Sequence, residues 1–197
     1  MLMASAASFG KIHALTRKKG PDVKAPITDW ETDLFHRAAE KSLLKLQERS
    51  FQIKDKQPYS MFTFNREYFI QAAAYASLIL DYGYPEKDCD VEYHYMDVVV
   101  FKSGKPFVCV EAKVDGRQTE LLLEKILSYA KGVPMDKPDR GNDPLRKAKY
   151  IVQDKPSYFW LVCSAFRKAF LVNHDVNTFT LSPVPDIPKC QHKPMKS

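Results

Sequence analysis

Apolar residues recur at helical spacing from Trp30 through Leu34, Ala38 and Leu44, behind a cap at Thr28 or Asp29. This predicts a helix running to about residue 47. Residues 49–64 are mixed in character and turn-prone around Pro58. A second helix is predicted from Asn65, a good cap, with Tyr68, Ala72, Tyr75 and Ile79 along one face and Gly83 and Pro85 as its stop. Beyond it the hydrophobic period shortens to an alternation. Residues 91–102 read as strand around the run Met96-Asp97-Val98-Val99-Val100-Phe101, the part before Met96 being either a separate strand or a bulged continuation. Residues 103–106 read as a turn and 107–114 as a second strand, so the pair forms a hairpin. A third helix is predicted over 117–131, with Leu122, Ile126 and Tyr129 on one face, closed by Gly132 and Pro134. Residues 134–149 read as a polar loop, 158–164 as a strongly apolar strand and 169–173 as its hairpin partner. Pro183, Pro185, Pro188 and Pro194 exclude the last stretch from a sheet core. The order of elements predicts an α/β protein with a mixed sheet carrying helices on its faces.

At 197 residues the chain is long enough for one domain with a sizeable core. The expected organisation is a mobile basic segment over 1–26, a single domain over 27–182 and a Pro/Lys-rich tail over 183–197. Hydrophobic residues make up 45% and charged ones 27%, which excludes a disordered chain. No apolar run approaches the ~20 residues that span a bilayer, and the first residues lack a secretory pattern, so a cytoplasmic location and no membrane partner are expected. The net charge of +6 resides in the ends: residues 1–24 carry +4 and 187–197 carry +3, leaving 25–188 at −1. The basic ends either hold nucleic acid loosely or serve as solubilising tails, and overall basicity says little about the body. Cys89, Cys109, Cys163 and Cys190 form no CxxC pair, and the histidines show no HxxxH spacing, which argues against zinc.

The chemistry concentrates in the hairpin. Side chains alternate across a strand, so Val108, Val110, Ala112 and Val114 share one face, while Phe107, Cys109, Glu111 and Lys113 share the other. On the neighbouring strand Asp97 interrupts an apolar run. A carboxylate there must reach water, a partner or a metal, because burying it alone costs several kcal/mol. One reading is an ion pair of Lys113 with Glu111 or Asp97 on a solvated strand face. The other is a site in which two carboxylates on adjacent strands hold Mg²⁺, which prefers oxygen ligands and keeps several waters. In that site Lys113 either orients the attacking water or neutralises charge on a phosphate. Glu67, near the start of the second helix, is available as a further acid, or is a first-turn carboxylate favoured by the helix dipole.

Asp97, thirteen residues, then Glu111-Ala112-Lys113 resembles the D-Xn-ExK signature of the PD-(D/E)XK nuclease superfamily. Over residues 65–131 the chain resembles more closely the N-terminal nuclease domain of type I restriction enzyme R subunits. The ordered matches are Glu67-Tyr68, Gly83-Tyr84-Pro85, Val91-Glu92, Asp97-Val98-Val99-Val100, Lys105-Pro106, Val110-Glu111-Ala112-Lys113 and Ser128-Tyr129-Ala130. The resemblance implies a restriction-endonuclease-like mixed sheet flanked by helices and a Mg²⁺-dependent deoxyribonuclease, with Mn²⁺ able to substitute. It implies Asp97, Glu111 and Glu67 as metal ligands and Lys113 as the catalytic lysine. DNA is the implied substrate, with a homodimer or a subunit of a larger nucleic-acid-processing assembly both open. Two positions depart from the pattern. Lys125 stands where many relatives carry the glutamine of a Q-x-x-x-Y motif ending at Tyr129, and Met96 replaces the usual proline. Lys125 either contacts phosphate or marks a weakened site. A catalytically weak or inactive module binding DNA or a protein is the alternative, and a nuclease acting on RNA a third. No GxxxxGK[ST] loop is present, which excludes a translocase motor in this chain.

Arg140, Arg146, Lys147 and Lys149 form a basic cluster in the predicted loop, placed either to grip a phosphate backbone or to remain solvated. Tyr158, Phe159 and Trp160 are expected in the core rather than as a base-stacking platform. His94 is either structural or a helper to a water beside Asp97.

Overall fold

A computed structural model describes residues 27–190, except 48–49, 55, 57, 61–65 and 141–143. The basic segment over 1–26, the Asn65 cap and the last seven residues lie outside the described residues. The first helix, α1 (Asp29–Glu40), starts at a capping box in which Thr28 and Glu31 satisfy each other's backbone N–H. It ends earlier than its spacing predicts. Leu44 belongs to a short strand, β1 (Leu44–Leu46), which pairs with β2 (Ser50–Ile53), itself paired with β3 (Tyr59–Ser60). The segment expected to be irregular therefore holds a small antiparallel sheet, in which Phe51 and Ile53 alternate into the core.

Helix α2 (Arg66–Leu80) is buried almost all round rather than along one face. Ala72, Ala73, Ala74 and Ala76 let it approach closely on every side, and Tyr68 is its exposed large side chain. It lies between α1 and one face of a six-stranded mixed sheet. That sheet runs β4 (Cys89–Tyr93), β5 (Met96–Lys102), β6 (Lys105–Ala112), β7 (Tyr158–Val162), β8 (Arg167–Asp175) and β9 (Thr178–Val184), in spatial order. All neighbours are antiparallel except β6 and β7, which are parallel. A parallel pair needs a long crossover, and helices α3 (Gly116–Tyr129) and α4 (Pro144–Asp154) supply it.

Strand alternation divides the core in two. Val98, Val100, Val108, Val110, Ala112, Trp160 and Val162 face α1 and α2. Val99, Cys109, Phe159, Leu161 and Phe170 face α3 and α4, where they meet Leu122, Ile126, Leu145, Ala148 and Ile151. The hairpin and its two faces stand as the alternation predicts except at Phe107, which packs on Tyr84 and Tyr158 on the α1/α2 side, beside a register shift at Val100/Phe101; Phe159 and Trp160 are core residues.

Two boundaries require correction. Residues 144–149 are the first turns of α4, not the end of a loop, because Pro144 sits at a helix start, where its missing N–H costs nothing. The domain also continues past 182. Strand β9 runs through Pro183 as the outer edge of the sheet, a place proline tolerates. Beyond it Ile187 is buried, the Tyr82 hydroxyl meets Asp186 at 2.7 Å, and the Tyr84 hydroxyl donates to the Pro188 carbonyl at 2.5 Å.

Candidate active site

The turn between β4 and β5 sets the position of Asp97. Tyr93 pairs with Met96, so His94 and Tyr95 form a two-residue loop, and both have positive φ, 46° and 78°. Such loops favour asparagine and glycine, and a side-chain-bearing residue in this region costs about 1 kcal/mol. Helix α4 grips the strained turn. The Arg146 guanidinium lies 4.0 Å over the Tyr95 ring, and the Lys147 ammonium donates to the Tyr95 carbonyl. His94 stacks on Tyr93 at 4.1 Å and stands 3.8 Å from Asp154.

Asp97 follows at once. Val98 pairs with Val110, so Asp97 and Glu111 follow one step beyond the last paired residues, near enough for the Asp97 charge to act on Glu111. The Asp97 Oδ2 accepts the Ala112 backbone N–H at 2.6 Å, and its carbonyl accepts from the buried Gln71 Nε2 at 2.8 Å. Glu111 is 1% exposed. Its Oε1 accepts from Lys147, while its Oε2 has no hydrogen-bond partner and lies 3.8 Å from Lys113 Nζ. Lys113 donates to Glu67 Oε1 at 2.6 Å and to the Ala112 carbonyl at 2.7 Å. The structure thus brings together Asp97, Glu111, Lys113 and Glu67, from three elements and the end of a strand.

Burial pushes the Glu111 carboxyl up to about 7, against the pull of Lys147 and with a further push from Asp97. Burial alone would lower Lys113, but the Glu111, Asp97 and Glu67 carboxylates outweigh it and hold the ammonium above its usual range. Lys113 is therefore a permanent cation at neutral pH.

No known protein family, curated protein or solved structure matches this chain. What the residues can do is decided by their own geometry. Among the described residues no group of three or more His, Cys, Asp or Glu side chains is placed to hold a metal ion. Mg²⁺, however, takes one or two carboxylates and completes its shell with water and substrate oxygens. The open Glu111 Oε2, beside Asp97 and out of bulk water, is a donor of that kind. Asp97 and Glu111 are the residues that would hold such a cation, while Glu67 is engaged by Lys113.

Of the basic cluster, Lys147 requires correction. It is 3% exposed and its ammonium is spent on Glu111 and Tyr95, so it cannot grip a phosphate backbone from the surface. Arg146 and Lys149 both engage Asp139, whose carboxyl Lys149 and then Arg146 hold below the usual range. Arg140 is exposed. Lys125 is exposed on α3, and Tyr129 packs half-buried against the α3/α4 side of the core. No described contact links either to the carboxylates. Sequence reasoning missed Gln71 and the inner position of Lys147. Gln71 carries a signal: four residues after Glu67 and so on the same helix face, it interrupts the apolar run from Phe69 to Ala76.

Proposed function

We propose that this protein is a metal-dependent deoxyribonuclease with a PD-(D/E)XK-type site on a restriction-endonuclease-like sheet. The observation that carries the reading is the buried Glu111 Oε2, left without a hydrogen-bond partner between Asp97 and a charged Lys113. Asp97 and Glu111 would hold Mg²⁺ or Mn²⁺, which when bound polarises the scissile phosphodiester and acidifies a water. Lys113 remains protonated, so it does not take a proton from that water. It neutralises the charge that builds on the phosphate, and its bonds to Glu67 and the Ala112 carbonyl hold it in place for this. Exposed Arg140 is the member of the basic cluster least committed to internal contacts for DNA. Plasmid DNA is expected to be nicked or cut with Mg²⁺ or Mn²⁺ and left intact once a chelator is added. Intact plasmid under both metals would overturn the reading.

The second reading is a nuclease-like module that binds DNA or a protein partner without cutting. The Lys147 ammonium against Glu111 favours it, because a fixed cation already neutralises one carboxylate. Absence of both cleavage and divalent-metal binding would select it.

The raised Glu111 carboxyl yields a pH test. The folded chain keeps a proton there up to about pH 7, whereas an unfolded chain releases it near 4.5. This group's contribution to stability is full below 4.5 and is lost as pH rises through about 7. A cation needs the carboxylate ionised, so Mn²⁺ affinity at pH 6 is expected to be about tenfold weaker than at pH 8. Thermal unfolding should show a larger Mn²⁺-induced rise in Tm at pH 8. Equal rises at the two pH values would contradict a Glu111 ligand.

A further inference from the structure

Lys147 is buried on α4 with one ammonium and two acceptors, Glu111 Oε1 and the Tyr95 carbonyl. One acceptor is on β6, and the other is in the turn that leads into β5, the strand of Asp97. Tyr95 stands two residues ahead of Asp97, inside the turn of positive φ, and Glu111 is one step beyond the Val98–Val110 pair, as is Asp97. Engagement of Oε1 by Lys147 leaves Oε2 as the open oxygen of Glu111, on the side where Lys113 lies. The neighbouring Arg146 holds the same turn through the Tyr95 ring. Helix α4 therefore touches Glu111 and the turn ahead of Asp97 through adjacent residues.

We propose that Lys147 is a positioning residue for this pair: it fixes the orientation of Glu111 and the turn that delivers Asp97, so that Oε2 is presented to the cation. The proposal rests on the metal-dependent reading. A buried ammonium beside a cation site has an opposite possible role, as a counter-charge that competes with the metal, and the two differ in sign. Removing a competitor tightens metal binding. Removing a positioning residue weakens it, by about 10–100-fold for groups that orient metal ligands.

The test compares the unmodified chain with Lys147→Met and Lys147→Gln by Mn²⁺ titration calorimetry at pH 8, with amide hydrogen exchange across residues 92–98. Lys147→Met is expected to bind Mn²⁺ at least tenfold more weakly and to exchange faster in the turn. Lys147→Gln keeps a donor without the charge, and is expected to retain affinity closer to that of the unmodified chain. It also serves should the methionine variant fail to fold. Unchanged or tighter binding by the variants of a chain that itself binds Mn²⁺ overturns the positioning role alone. An unmodified chain that binds no Mn²⁺ overturns the metal-dependent reading, and with it the role of Lys147 toward a cation.

Discussion

Lys113→Met is expected to lower DNA cleavage by about a hundredfold or more while leaving Mn²⁺ affinity unchanged or slightly tighter. The separation follows from where the charge sits. Lys113 lies 3.8 Å from Glu111 Oε2 without hydrogen-bonding to it, so its loss removes no metal ligand and relieves repulsion of a cation. On the proposed reading, what is lost is a fixed positive charge where a phosphate would develop negative charge. Loss of one such preorganised group costs about 10²–10³ in rate. Glu111→Gln should behave in the opposite way, losing metal affinity and cleavage together. Its amide oxygen still accepts from Lys147, so the buried ammonium keeps a partner and the fold is retained. Single-turnover cleavage on a nicked-plasmid assay, read beside calorimetry on the same preparations, separates the two. A Lys113→Met protein that cuts at the unmodified rate, or a Glu111→Gln protein that still binds Mn²⁺ and cuts, would remove these residues from the site.

The largest effect on stability is expected at the buried pair of Glu31 and Arg66. Glu31 is fully buried and Arg66 is 2% exposed, and the guanidinium meets Glu31 Oε2 at 2.5 Å. The same oxygen accepts the Thr28 backbone N–H at 2.7 Å, closing the capping box of α1. Arg66 also donates to Ser164 Oγ at 3.2 Å, and Ser164 donates to the Val114 carbonyl at 2.8 Å. Glu31→Ala thus takes the carboxylate from a buried guanidinium and opens the reciprocal half of the capping box in one change. Breaking a buried pair by deleting one partner costs about 3–5 kcal/mol, and the lost bond from the Thr28 N–H adds to it. Thermal unfolding is expected to fall by roughly 10 °C or more, at the rate of about 2–4 °C per kcal/mol for a chain of this size. A fall of only one or two degrees would show that the pair contributes no more than a surface ion pair.

The hairpin and its carboxylates are legible because alternation assigns each strand residue a face. Asp97 and Glu111 stand out as polar groups in runs of valine, and the register across Val98 and Val110 brings them together. Lys147 is not legible in that way. Its charge, and the prolines before it, give residues 134–149 the composition of a loop, although Leu145, Ala148 and Ile151 spell an apolar stripe on α4. A buried lysine breaks the rule that charge means solvent, and only its partner shows why. Strand β9 was hidden by Pro183, which forbids a central strand but not an edge. The bond from the Ala112 N–H to Asp97 Oδ2 has no counterpart in residue spacing at all.

The parallel pairing of β6 with β7 bears on how the chain reaches this state. Glu111 and Lys147 are 36 residues apart, Lys113 and Glu67 46 apart, and Arg66 and Ser164 98 apart. None of these contacts can form from a local segment, and closing long loops precedes the contacts that reward it. The β4–β5–β6 hairpins can zip early, but they present Glu111 to water until α4 docks over it. Hairpins alone would therefore hold the strands of the carboxylate pair without the lysine contacts that α4 and α2 complete.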